Sequence, residues 1–153
     1  VGPYYTSGKA FLSKEKRIIE VTDLEKLDIS EIRLTALKGS TSQAFVEATL
    51  PHAQLTVSDS YDEAVNLVLK DQVHAMVADY PICFVSVLRY PNAGLLSQMV
   101  PLTYEPLGIA LPPNDPHFIN WVENTLSILK ANGTLKAIEE RWFQNISWLS
   151  QLP

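Results

Sequence analysis

Apolar and polar positions along the chain fall into blocks whose period switches between that of a strand and that of a helix. Ile32-Arg33-Leu34-Thr35-Ala36-Leu37 reads as a strand that ends at Gly39. From Thr41 to about Leu50 the spacing predicts a helix, stopped by Pro51. Gln54-Leu55-Thr56-Val57 predicts a second strand. Ser60, with Glu63 three residues on, fits a capping box, and the helix it opens carries Ala64, Val65, Leu67, Val68 and Leu69 as a broad apolar face. His74-Ala75-Met76-Val77-Ala78 is a short apolar strand that ends at Asp79. Pro81 takes a first helical position, and Ile82 to Leu88 continues that helix. After a turn at Pro91-Asn92-Ala93-Gly94, strands are expected over Leu95 to Val100 and over Leu107 to Leu111.

The last third changes to helical spacing alone. Asp115 is a good N-cap and Pro116 a good first position. Phe118, Trp121, Val122, Thr125, Leu126 and Leu129 recur at helical intervals, and Asn132-Gly133 ends that helix in a left-handed turn. Leu135, Ile138, Trp142 and Phe143 mark a second short helix, with Trp142 and Trp148 read as packing residues.

Strands separated by helices of about ten residues imply right-handed crossovers and a parallel sheet, so the fold class is α/β. In such sheets ligands sit outside the carboxyl ends of the strands. Three polar clusters fall there: Gly39-Ser40-Thr41-Ser42, Ser58-Asp59-Ser60 and Asp79. The pattern predicts that they share one edge.

Composition narrows the function. The formal net charge is −5, and the 12 Lys and Arg are scattered, which argues against a nucleic-acid partner. No apolar stretch approaches the roughly 18 residues of a membrane span. The single cysteine, Cys83, lies in an apolar run and is expected as a small core residue. His52, His74 and His117 lack partners at ligand spacing, so neither a metal nor another cofactor is expected. Val1-Gly2-Pro3-Tyr4-Tyr5 has neither Met nor a signal-peptide pattern, so the chain is expected to be processed or a piece of something longer. Ser147 to Pro153 reads as a C-terminus.

Gly39-Ser40-Thr41-Ser42 admits two readings. It is a strand-to-helix turn with an N-cap, or it presents unpaired N–H groups at a helix start to an anion such as a carboxylate. It lacks the Gly-Lys-Ser/Thr ending of a phosphate-binding loop. Asp79 likewise is an N-cap, or a partner for a ligand ammonium. Together the two would grip opposite ends of a zwitterion. That requires Thr41 and Asp79 on one rim, with Asp79 not locked in a buried ion pair. Catalysis has weaker support: Glu105 is a candidate general acid only if buried, and Asp59, Asp62 and Glu63 form a solvated acidic cluster.

Several motifs then occur in order: Pro3-Tyr4-Tyr5-Thr6-Ser7-Gly8, Leu37-Lys38-Gly39-Ser40-Thr41, Ser60-Tyr61-Asp62-Glu63-Ala64, Ala78-Asp79, Pro106-Leu107-Gly108-Ile109-Ala110, and Leu129 to Leu135 with Arg141-Trp142-Phe143. In these the chain resembles the family 3 extracellular solute-binding proteins, the amino-acid-binding group of the type II periplasmic binding fold. The resemblance implies two lobes joined by crossover strands, with the first part of lobe 1 absent. Residues 13–100 would form lobe 2, and residues 1–12 and 101–153 the crossovers and the C-terminal helices of lobe 1. It assigns the ligand carboxylate to Thr41, with the Ser42 amide and Ser40 helping, and the α-amine to Asp79. Tyr5 falls near the first crossover, close to the cleft. Arg17, Arg33, Arg89 and Arg141 do not match the arginine that the missing part supplies. The expected role is capture of a small amino acid, outside the cytoplasm or in the periplasm, for the permease of an ABC importer. The alternatives are a dehydratase-like enzyme on the same scaffold and a sensor domain. Exposed faces on the C-terminal helices predict a dimer, a swapped contact, or a missing N-terminal segment.

Overall fold

A computed structural model describes residues 1–144 and 147–151. Leu152 and Pro153, the end of the stretch read as a terminus, lie outside the described residues. The chain divides into two compact units, Gly8–Thr103 and a second made of Val1–Ser7 with Tyr104–Pro153.

The larger unit holds strands β2 (Lys9–Ser13), β3 (Arg33–Leu37), β4 (Gln54–Ser58), β5 (Ala75–Asp79) and β6 (Leu96–Ser97), with β1 (Tyr5–Ser7) belonging to the smaller unit. Its helices are α1 (Lys16–Ile19), α2 (Thr41–Thr49), α3 (Tyr61–Leu69) and α4 (Tyr80–Arg89). The sheet order is β4-β3-β5-β2-β6. Strand β3 runs parallel to β4 and to β5, as expected. The expectation of a wholly parallel sheet is corrected at β2, which is antiparallel to both β5 and β6. The register explains this: β2 begins at the rim where β5 ends, Lys9 opposite Asp79, so it must run back along β5.

Both faces of this sheet are covered, and the alternation along the strands sorts the core into two clusters. Ala10 and Leu12 of β2 with Met76 and Ala78 of β5 pack among Ala64, Val65 and Val68 of α3 and Cys83 of α4. Phe11, Ala75 and Val77 point the other way, onto Val46 and Leu50 of the α2 region and Ile18 of α1. By the same period of two, Lys9 and Asp79 share the face of Phe11 and Val77, the one that α2 covers.

The predicted helix starts are present, with their caps. Ser60 Oγ accepts from the Glu63 amide at 3.1 Å, and Glu63 Oε2 accepts from the Asp59 amide at 2.8 Å. Asp115 accepts from the Phe118 amide at 2.9 Å. The strand expected over Leu95 to Val100 is only the two residues of β6; Met99 and Val100 are 89% and 76% exposed, with nothing to pack against. Cys83 is buried, and burial pushes its thiol up to about 12. It should not react with Ellman's reagent at pH 8 until the protein is unfolded, and prompt native-state labelling would contradict its placement.

In the smaller unit, β1 pairs antiparallel with β7 (Glu105–Leu107), Tyr5 opposite Leu107. The strand expected over Leu107 to Leu111 thus lies earlier. Beyond it Ile109 pairs with Val1, its amide donating to the Val1 carbonyl at 2.7 Å and its carbonyl accepting from the Val1 amino group at 2.9 Å. Helix α5 (Pro116–Ala131) ends at Asn132 with Gly133 at φ +78°, a conformation that glycine adopts without strain. Then come α6 (Thr134–Glu139), a π-helical turn over Glu140–Gln144 and a 3-10 turn over Ser147–Gln151. Trp142 and Trp148 pack on each other, ring centroids 5.7 Å apart. Trp121 and Ile128 of α5 remain more than half exposed. Among the described residues no helix is long and apolar enough to cross a membrane.

Candidate functional site

The carboxyl ends of β3, β4 and β5 each lead into a helix, so the N-termini of α2, α3 and α4 gather along one rim of the larger unit. Helix N-termini carry partial positive charge and unpaired amides, which suits that rim to an anion.

Gly39-Ser40-Thr41-Ser42 turns out to divide its work. Ser40 is the N-cap: its Oγ accepts from the Gln43 amide at 3.2 Å and donates to the Leu37 carbonyl at 2.6 Å. Gly39, at φ +70°, donates its amide to Gln43 Oε1 at 2.8 Å. The hydroxyl of Ser40 is therefore consumed by the turn. Thr41 and Ser42 are the first two helical residues, and among the described residues their amides reach no protein acceptor. The capping reading is seen at Ser40, and the first two helical amides are left to the other reading.

Asp79 occupies the N-cap position of α4, yet its side chain makes no capping bond. It bonds instead to Lys9: Nζ donates to Asp79 Oδ1 at 2.6 Å and to Thr41 Oγ1 at 2.7 Å. The Lys9 side chain is 2% exposed and that of Asp79 is 41% exposed. One buried ammonium thus ties the end of β5 to the start of α2. Asp79 is ion-paired, but it is not sealed off. Tyr61, the first residue of α3, stands within the field of this pair. Burial first, then the Asp79 carboxylate, push its phenol above the usual range, while the Lys9 ammonium pulls it down.

Ser40, Thr41, Ser42 and Asp79 accordingly lie on one rim. Tyr5 belongs to the smaller unit, where it stacks on Phe143 with ring centroids 5.2 Å apart. There it also lines a cavity of about 310 Å³ with Pro3, Tyr4, Thr6 and Glu139. Glu105 sits in β7 opposite Ser7. The sequence reading missed Lys9. A lone lysine in Ser7-Gly8-Lys9-Ala10 resembles any solvated turn residue, and only its register opposite Asp79 marks it out.

Comparison with known proteins places the chain in a family. The sequence model of the bacterial extracellular solute-binding proteins, family 3, matches residues 2–145, and the chain belongs to that family. It is 24% identical over 144 residues to the ABC transporter arginine-binding protein 1 of Escherichia coli K12, covering 92% of this chain and 57% of that protein. It is 26% identical over 142 residues to the ABC transporter glutamine-binding protein GlnH of Bacillus subtilis 168, covering 92% of this chain. The chain thus spans about half the length of these two relatives, 57% and 50%. Among solved structures, the putative binding component of an ABC transporter from Wolinella succinogenes, complexed with lysine, superposes with a TM-score of 0.86 at 31% identity, covering 98% of this chain and 64% of that one. The fold is that of the type II periplasmic binding proteins, represented here in part.

Proposed function

We propose that the larger unit is the half of an amino-acid receptor that holds the ligand's backbone groups. The α-carboxylate lies on the Thr41 and Ser42 amides and the Thr41 hydroxyl; the α-amine meets the exposed side of Asp79. Ser40 serves by capping the turn. The protein works outside the cytoplasm and hands its ligand to the permease of an ABC importer. The observation that carries this reading is the placement of Thr41 and Asp79 within reach of one ammonium, at 2.7 and 2.6 Å. A group that small joins them, so a single small zwitterion spans them as well. No observation favours the dehydratase-like reading.

Isothermal titration of the full-length gene product with L-arginine, L-glutamine and L-lysine tests it. Saturable binding of at least one is expected, weakened about tenfold by Thr41→Val, which removes a hydrogen bond to a charged group, and about threefold or more by Asp79→Asn. Absence of binding to all three, or binding that neither substitution alters, would overturn it. We propose too that a second copy covers the exposed Trp121, Ile128 and Trp142 of the smaller unit. Light scattering should then show a dimer of the 153-residue chain at micromolar concentration, and a monomer throughout would refute that contact.

A further inference from the structure

We propose that Lys9 is a specificity-determining residue, weighting this rim towards the ligand's carboxylate and making the α-amine the weaker handle. The inference rests on the amino-acid reading above and goes further, because a lone aspartate at the end of β5 would do the opposite.

The argument is one of hydrogen-bond direction and charge. A lysine ammonium has three donors and no acceptor, so Thr41 Oγ1 can only accept from it. The single O–H of Thr41 is then turned away from Lys9, available as a donor. It stands beside the Thr41 and Ser42 amides, which are donors too. The groups left open at that start of α2 are thus all donors, and a carboxylate is the acceptor that an amino acid brings. At Asp79 the effect is reversed. The ammonium at 2.6 Å offsets much of the carboxylate's negative field, and Lys9 is buried, so water screens this little. A ligand amine approaching the exposed side of Asp79 meets a carboxylate already partly satisfied. The ligand's carboxylate meets less repulsion from the same residue.

Removing the charge at Lys9 should restore the balance. The Thr41 hydroxyl is then free to rotate, the positive field under the carboxylate is lost, and Asp79 carries its full charge. The test uses the full-length gene product and whichever of L-arginine, L-glutamine and L-lysine binds it. Each is compared with its carboxamide, which lacks the carboxylate, and with its analogue lacking the α-amine (5-guanidinopentanoate for arginine). In the unmodified protein, loss of the carboxylate should weaken binding at least tenfold more than loss of the amine. Lys9→Met should shrink that ratio about tenfold or invert it, and Lys9→Arg should keep it. Lys9→Gln, which keeps a donor but not the charge, supplies the same comparison if Lys9→Met fails to fold by circular dichroism. Binding with an unchanged ratio in Lys9→Met or Lys9→Gln overturns the inference while leaving the receptor reading intact. No binding of any amino acid overturns the receptor reading and the inference together.

Discussion

Asp79→Ala will destabilise the protein by about 2–4 kcal/mol, while Lys9→Met will cost less than about 1 kcal/mol, although each deletes the same ion pair. The asymmetry follows from where the two partners sit. Without Asp79, the Lys9 ammonium stays at 2% exposure and loses the carboxylate at 2.6 Å. The penalty is held below the full value for a buried pair because the Asp79 side of the contact meets water. Without Lys9, Asp79 is left as a 41% exposed carboxylate that water can hydrate, and a methionine fills the volume that the lysine stem occupied. Urea denaturation of the two variants measures both costs. Equal losses would mean that the burial of the pair is not one-sided.

Gly8→Ala will be the more disruptive of two glycine substitutions near this rim. A Cβ on Gly8 would overlap the carbonyl oxygen of Thr103 and lie 2.9 Å from its carbonyl carbon, so backbone rather than a flexible side chain must yield. The displaced segment includes the Lys9 amide bond to Thr103 Oγ1 at 2.8 Å and the Leu102 amide bond to the Lys9 carbonyl at 2.7 Å. A loss of about 3 kcal/mol is expected, the upper end for overpacking. Gly39→Ala meets open space and suffers only its φ of +70°, worth about 1–2 kcal/mol. A shift in denaturation midpoint for Gly39→Ala as large as that for Gly8→Ala would reject this ordering. Where Gly8→Ala still folds, it should also loosen the Lys9 contacts and move ligand preference in the direction of Lys9→Met.

The parallel core of the larger unit was legible because its punctuation is strong. Gly39, Pro51, Ser60 with Glu63, and Asp79 with Pro81 bracket β3, α2, β4, α3, β5 and α4 to within a residue or two. Strand β2 was not legible. All five of its residues are buried, including Lys9 and Ser13, so the alternation that identifies a strand with one wet face is absent. A charged first residue then argues for the surface. Losing β2 hid both the antiparallel pairing and the buried lysine. Strand β6 is too short to leave a period, and β7 contains Pro106, a residue that usually argues against a strand. In the candidate site, Thr41 and Asp79 were singled out by asking where strands end. Lys9 lies at the beginning of a strand, and that question passes over it.

Because Ser40 and Gln43 close the turn between themselves and the backbone, its shape is independent of the neighbours that face outward. On the proposed reading, a substitution at Thr41 therefore alters how firmly the ligand's carboxylate is held without unravelling α2. A turn whose shape and whose outward contact rest on different residues is one on which binding strength can evolve by single steps.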